Sequence, residues 1–267
     1  MNGKPLSALC RLFLLGTLIL MGCSSIVSSD EMSAATSQAN RVISLATQMG
    51  YQARSTLEAG SKSATATVQA REISLAEARL WPVVIEDGFD EANDDWAVGE
   101  EEDEALGSIA WSIEQGGYRW SAEAKTGFVW WVATESEVSD FYLAVDARQM
   151  TNPEVGEYGV IFRRTDEEHY YLFEVSDLGY YALFYYSPGT WESLIDWTTH
   201  PAISAGAPNR LAVHASGAQF NLYINGVFVT GYQDDRQPSG SVGLLIGLSN
   251  AGESSAWEFD NFELRAP

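Results

Sequence analysis

The pattern of apolar and polar positions changes at Trp81, where long stretches of small polar residues give way to short apolar runs. From there on, turn residues separate these runs at the spacing typical of an all-β sandwich or barrel. Asn225-Gly226 lies between two alternating runs and supplies the two positive-φ residues of a type I′ hairpin turn. The pattern therefore predicts one all-β domain over residues 83–267, long enough for a single sizeable core.

The richest aromatic stretch is His169–Tyr186, HYYLFEVSDLGYYALFYY, which holds six Tyr and two Phe. Successive side chains of a strand point to opposite faces, so Tyr171, Phe173 and Val175 share one face. Glu174 lies on the other face. Because the first set carries no charge, we expect it to face the core, which leaves only some of the rings free to contact a ligand.

The same alternation along neighbouring segments predicts an outer face, provided that these segments lie side by side in one sheet. Its side chains are Tyr142, Asp146, Arg148, Arg163, Glu174, Phe184 and Tyr186, and Trp191 joins them from a turn. Rings stack on the apolar face of a pyranose, while carboxylate and guanidinium groups bond vicinal hydroxyls. The set predicts a carbohydrate-binding face. The alternative is ordinary cross-strand pairing on a solvated surface.

The region between the first residues and Trp81 is poor in large side chains. Residues 24–80 contain no Pro or Trp, and Val42, Leu45 and Met49 recur at helical spacing. Small polar residues bury too little area to offset chain entropy. We expect a weakly helical or disordered stalk over residues 23–82.

The chain begins with the features of an export signal. Lys4 and Arg11 precede an apolar run, Leu12–Met21, that is too short to span a bilayer. The following Leu20–Cys23 resembles the lipobox of bacterial lipoproteins, which implies a signal peptide over residues 1–22 and a lipid on Cys23. The resemblance predicts an exported protein anchored to the extracytoplasmic side of a bacterial cell membrane. An ordinary signal peptide or an uncleaved anchor is the alternative.

Charge and cysteine content limit the partners. Removing residues 1–22 takes two of the 15 basic residues, which leaves 13 against 37 acidic ones and a net charge of −24. Such a surface repels nucleic acid and is compatible with neutral sugars and with cations. Cys10 and Cys23 are the two cysteines, so after cleavage and lipidation no thiol remains for a disulfide, for catalysis or for a metal.

Four segments carry a family resemblance over residues 86–265. The opening DGFDEANDDW, the long middle from Tyr158 to Trp197, the hairpin LYINGVFV and the closing WEFDNFELR resemble concanavalin A-like lectin and glucanase domains. The similarity is closest to the laminin-G-like set and to domains described as 3-keto-disaccharide-hydrolase-like. It implies an antiparallel jelly-roll sandwich with one concave sheet that can hold a glycan. Proteins with this fold have many different functions, so the resemblance does not indicate which function this protein has.

One motif resembles a catalytic site. Glu258, Asp260 and Glu263 match the ExDxxE pattern of retaining glucanases, which use two closely spaced carboxyl groups. Here the motif lies in the last strand rather than in mid-chain, and Asn261 replaces the usual apolar residue. We therefore do not expect catalysis from this motif, and no catalytic residue is assigned.

A structural calcium ion is the one cofactor that the sequence indicates. Asp87 to Glu104 holds ten acidic residues and no basic one. Asp87 and Asp90 beside Asp260 would supply the hard oxygen ligands that calcium prefers, joining the first strand to the last. The alternative is a solvated acidic loop with a turn-forming Asp260.

The sequence thus predicts a cell-surface lipoprotein whose β-sandwich binds a ligand, with carbohydrate as the first choice. Two alternatives stay open. One is a hydrolase acting on glycosides, and the other is a laminin-G-like adhesion or structural module with a protein partner.

Overall fold

The computed structural model describes residues 29–93 and 95–267. The predicted signal peptide and Cys23 lie outside these residues. One long helix, α1 (Ser29–Ala78), precedes the strands and runs without a break through Gly60. Within the described ranges no helix combines the length and apolar character needed to cross a bilayer.

Two antiparallel sheets follow the helix, and strands are numbered in chain order. The larger sheet has nine strands within the described residues: β1 (Val83–Asp87), β2 (Gly99–Asp103), β3 (Gly107–Ile113), β4 (Tyr118–Ala124), β6 (Phe141–Gln149), β11 (Asn209–Ser216), β12 (Gln219–Ile224), β13 (Val227–Gln233) and β15 (Ser254–Arg265). The smaller has six: β5 (Phe128–Ala133), β7 (Glu157–Asp166), β8 (His169–Ser176), β9 (Tyr180–Ser187), β10 (Thr190–Thr199) and β14 (Ser241–Leu248).

The order of strands gives the sandwich its crossovers. The larger sheet runs β13-β12-β11-β6-β15-β4-β3-β2 with β1 also on β15, and the smaller runs β10-β9-β8-β7-β14-β5. The predicted hairpin joins β12 and β13, and Asn225 and Gly226 both have positive φ. The prediction of an all-β jelly-roll sandwich behind a helical segment is confirmed.

The core lies between the two sheets and follows the alternation of the sequence. Tyr171, Phe173 and Val175 of β8 are fully buried in it, as are Trp120 and Trp257 of the larger sheet. Burial of such large side chains supplies the main favourable free energy of folding. A sandwich of this size therefore needs no disulfide to hold it together.

The last turns of α1 pack against the larger sheet. The chain divides into two compact units at Ala66 and Thr67, so residues 67–78 belong to the unit that contains the strands. Leu75 and Ala78 are buried there with Tyr142 and Tyr223 on the sheet's outer face. The compact unit therefore begins before residue 83, because the helix end supplies apolar side chains that cover this part of the sheet.

Candidate functional site

The outer face of the six-stranded sheet carries a second apolar cluster, separate from the core. Every strand of this sheet except β10 contributes side chains to it, and Trp191 of β10 contacts its edge. The members are Val129, Trp131, Ala133, Ile161, Tyr170, Leu172, Phe184, Tyr186 and Leu245. The alternation predicted for β8 and β9 is confirmed, since Phe184 and Tyr186 lie on this side with Glu174.

Aromatic rings form a row across this face. Tyr170 and Tyr186 are cross-strand partners with ring centroids 5.2 Å apart, and Tyr186 lies 4.7 Å from Trp191. Trp131 reaches Tyr170 at 5.9 Å from the other side. A second pair, Phe184 with Trp197, lies 5.9 Å apart. Trp191 is 49% exposed, so its ring is available to a ligand.

A cleft opens next to these rings, and we call it the Glu174 cleft. Its volume is about 310 Å³. Its lining residues are Gly127, Phe128, Val129, Glu157, Glu174, Phe184, Trp191, Trp197, Leu248 and Ser249. An adjoining hollow of about 280 Å³ shares Glu157 and Trp197 with it.

Small neighbours create this depression. Glu174 has Gly159 and Ala182 as its cross-strand partners, and Glu157 has Gly247. A Cβ atom at Gly247 would lie 2.9 Å from Glu157 Oε2. Because these neighbours lack bulky side chains, they leave room for the cleft that Glu157 and Glu174 line.

The two carboxyl groups have unusual electrostatics. Glu174 is 5% exposed, and burial, together with the nearby Glu157 carboxylate, raises the pKa of Glu174 to about 8. Burial also raises the pKa of Glu157, with Glu253 adding to the effect and a hydrogen bond from Ser249 Oγ at 3.2 Å opposing it. Near neutral pH the pair therefore favours holding a proton, because two charged carboxylates would repel each other in a poorly solvated place.

The predicted ligand face is split by the topology. Tyr142, Asp146 and Arg148 lie on β6 in the nine-stranded sheet, whereas Glu174, Phe184, Tyr186 and Trp191 lie in the six-stranded one. The expectation that their segments are neighbours in one sheet is wrong. Tyr142 is also buried, because the end of α1 covers it.

The prediction that Arg163 lies on the outer face is also wrong. A bulge in β7 begins after Phe162, and Arg163 there has a φ of 49°. Its side chain is 1% exposed and donates hydrogen bonds to the carbonyls of Ser139, Gly217 and Gln237. The bulge reverses the alternation at one residue, so Arg163 joins loops at the end of the sandwich and does not face a ligand.

The ExDxxE carboxylates lie on the outer face of the nine-stranded sheet. Glu258 forms ion pairs with Arg119 at 3.0 Å and Arg148 at 2.6 Å. Glu263 pairs with Arg210 at 2.9 Å. Glu258 and Glu263 are therefore paired with guanidinium groups.

Of the three predicted calcium ligands, Asp87 ends β1, Asp90 follows it, and Asp260 lies in β15. Asp87 accepts hydrogen bonds from Phe89 N, Asn93 Nδ2 and Trp96 Nε1, so both its oxygens order the following loop. Burial raises the pKa of Asp260, and Asp146, Glu258 and Asp90 raise it further. Among the described residues no group of three metal-ligating side chains is arranged to hold an ion, and calcium stays a prediction.

Glu157, Trp131, Tyr170 and Trp197 belong to this site but were absent from the predicted set. Trp197 lines the same cleft as Trp191, but two register shifts in β10 interrupt the alternation between them. Glu157 is the first residue of β7. Alternation puts the adjacent Trp130 and Trp131 on opposite faces, and Trp131 is the outer one.

The fold is shared with solved glucanase structures. An endo-β-1,3-glucanase from Pyrococcus furiosus is 10% identical, with 70% of this chain and 94% of that chain covered and a TM-score of 0.51. The κ-carrageenase from Pseudoalteromonas carrageenovora, in complex with an oligotetrasaccharide of κ-carrageenan, is 11% identical, with 70% and 95% covered and a TM-score of 0.51. A β-glucanase from Bacillus licheniformis is 11% identical, with 68% of this chain and 97% of that chain covered and a TM-score of 0.50.

No family model matches the chain, and no curated protein matches it. Structural likeness at such low identity shows the concanavalin A-like fold and carries no activity with it.

Proposed function

We propose that this protein binds a carbohydrate in the Glu174 cleft. The observation that carries the proposal is that Trp191 and Trp197, both exposed, line one cleft with the carboxyl groups of Glu157 and Glu174. A pyranose presents an apolar face of C–H groups and a rim of hydroxyls. The cleft offers rings for the first and carboxyl oxygens for the second.

The adjoining hollow supports an oligomeric ligand. It is lined by Glu154, Tyr180 and Trp197 among others, so the ring-and-carboxylate pattern continues beyond the cleft. A chain of sugars crossing from one to the other would stack on Trp191 and Trp197 in turn. Rings held in place by the sheet lose little conformational entropy on binding, which favours affinity.

The test is a glycan array probed with the purified protein and its Trp191→Ala and Trp197→Ala variants. We expect a defined set of glycans to bind the unaltered protein and to bind each variant more weakly. Val227→Ala removes an exposed apolar side chain from the nine-stranded sheet and serves as the control. A blank array, or glycan binding that both tryptophan variants retain in full, would overturn the proposal.

Hydrolysis of a glycoside is the second candidate, favoured by the raised pKa values of Glu157 and Glu174 in one cleft. A protonated carboxyl group can donate its proton to the glycosidic oxygen as that bond breaks, while the other carboxylate assists attack at the anomeric carbon. Incubation of bound oligosaccharides with the protein and with Glu174→Gln checks this. Release of reducing ends by the unaltered protein alone would support hydrolysis, and no release would leave binding as the function.

We further propose that the protein is exported and held at a bacterial cell membrane by a lipid on Cys23. The support is the sequence Leu20–Cys23 after a short apolar run. Metabolic labelling with a fatty acid is expected to mark the protein and not its Cys23→Ser variant. Equal labelling of both would contradict the anchor.

A further inference from the structure

The ionisable side chains that line the Glu174 cleft and the adjoining hollow are all acidic. Three carboxyl groups line them, those of Glu154, Glu157 and Glu174. No Lys or Arg is among the described residues that line either space. Arg164 lies on the same side of the sheet, but its guanidinium stacks over the Trp131 ring at 4.3 Å and is not among the groups that shift the pKa of Glu174.

Glu174 lacks a partner of its own. Its side chain is more than nine-tenths buried and lines the cleft. No described residue donates a hydrogen bond to its carboxyl group, whereas Glu157 and Glu253 each have donors. Buried polar groups in folded proteins nearly always have a partner, which can be another residue, a water, an ion or a ligand. The position of this carboxyl group indicates that its partner comes from the cleft.

Aromatic rings stand beside these carboxyl groups. Trp191, Trp197 and Phe184 line the same space, and the Tyr180 ring lines the hollow. The face of an indole ring attracts a cation, most strongly where water is partly excluded. Carboxylates beside aromatic rings are the combination that holds an ammonium group. An ammonium group would allow both carboxyl groups to be charged, whereas a neutral hydroxyl would leave the pair holding its proton.

We propose that the ligand of the Glu174 cleft is a saccharide that carries a free, protonated amino group, that is, a polymer or oligomer containing hexosamine units. This inference rests on the proposed carbohydrate function and names the class of sugar. The ammonium group lies between Glu157 and Glu174 and compensates their charge, while the sugar ring stacks on Trp191 or Trp197. The net charge of −22 over the whole chain draws such cations toward the protein.

The experiment is calorimetric titration of the purified protein at pH 6.5 with three oligosaccharides of equal length. One is an oligomer of glucosamine, the second is its fully N-acetylated form, and the third is a neutral β-glucan oligomer. We expect the glucosamine oligomer to bind at least about tenfold more tightly than the other two. We also expect its affinity to fall as salt is raised, because salt screens the attraction between charges.

Two variants locate the binding. Glu174→Gln and Glu157→Gln keep the shape of the side chains and remove the charge, so each is expected to lose most of the preference for the amino form. Glu101→Gln is the matched control, since Glu101 is exposed on the nine-stranded sheet. A thermal melt of each variant establishes that it is folded.

The outcomes separate the two proposals. If the neutral or N-acetylated oligomer binds as tightly as the amino form, the inference is overturned and the carbohydrate function stands. If none of the three oligomers binds, the inference is overturned, and the glycan array decides the carbohydrate function. Amino-oligomer binding that persists in both cleft variants, or that Glu101→Gln weakens equally, would show non-specific attraction to an acidic protein and would also overturn the inference.

Discussion

Both outer faces of the sandwich carry carboxylates, but among the described residues only those on the nine-stranded sheet are paired with arginines. On the nine-stranded sheet Glu258 pairs with Arg119 and Arg148, and Asp146 faces Arg210 at 3.5 Å. On the six-stranded sheet Glu157 and Glu174 line a cleft whose described lining includes no cation. Carboxylates that are paired stabilise a surface, whereas unpaired ones beside exposed rings are free to meet a ligand.

The two outer faces also differ in that the end of α1 covers part of the nine-stranded sheet. The end of α1 packs Leu75 and Ala78 onto the nine-stranded sheet and buries Tyr142 beneath them. Arg71 lies 3.4 Å from the centroid of the Phe228 ring, which adds a cation–π contact there. One face therefore serves the stability of the fold, and the other keeps its rings accessible. The ExDxxE motif, which looks catalytic in the sequence, lies on the first of these.

The largest expected effect comes from uncovering the nine-stranded sheet. Leu75→Ala removes a buried side chain and leaves a cavity, so the free energy of unfolding should fall by about 2–4 kcal/mol. Chemical denaturation measures the change. Leu45→Ala, at an exposed position of the same helix, is the control and should change it little. Equal effects of the two variants would show that the helix end does not stabilise the strands.

The second effect concerns Glu174 and its pH dependence. With its pKa raised to about 8, the folded protein keeps a proton on Glu174 that the unfolded chain has lost. The free energy of unfolding therefore falls as pH rises from the unfolded value near 4.5 to about 8. Because Gln cannot lose a proton, Glu174→Gln should be more stable than the unaltered protein at pH 8.

Denaturation curves of the two proteins at pH 4 and pH 8 provide the check. Their difference in stability should be small at pH 4, where the carboxyl group is protonated in both states. Glu101→Gln, whose position is exposed, should show no such pH-dependent difference. A Glu174→Gln variant that is less stable at pH 8 would mean that Glu174 has a cationic partner in the folded protein.

A smaller effect is expected at Glu258. Glu258→Gln breaks two ion pairs that are partly exposed, so the free energy of unfolding should fall by about 1 kcal/mol. Because Glu258 is remote from the Glu174 cleft, binding of a glycan should not change. A loss of binding with unchanged stability would move the site to the nine-stranded sheet.

The smallest effect tests calcium. If Asp87, Asp90 and Asp260 hold an ion, added calcium should raise the melting temperature slightly and a chelator should reverse it, since an ion that binds only the folded state stabilises it. Asp260→Asn should remove the response. A melting temperature that neither calcium nor a chelator moves would exclude a structural calcium site.

The sequence predicted the faces of single strands better than the relation between strands. Alternation placed Phe173 in the core and Phe184 outside it, because side-chain direction in a strand is a local property. It failed at Arg163, where a bulge adds a residue that no local pattern announces. It also placed Tyr142 and Glu174 on one face, because pairing between distant segments depends on topology and not on alternation.

The proposed carbohydrate site could be predicted only in part for the same reason. Glu174, Phe184, Tyr186 and Trp191 were predicted for it and lie on the six-stranded sheet. Glu157 completes the carboxyl pair only because β7 places it diagonally beside Glu174, across from Gly247. A pattern within one strand cannot give this, since the pair forms between two strands.

The most direct measurement is calorimetric titration of a glycan that binds on the array, using variants from both faces. Trp191→Ala and Glu174→Gln alter the six-stranded sheet, whereas Glu258→Gln and Arg148→Ala alter the nine-stranded one. Binding in the Glu174 cleft predicts that the first two weaken affinity by about tenfold or more and that the last two leave it unchanged. Weaker binding in Glu258→Gln and Arg148→Ala, with full affinity in the other two, would contradict it.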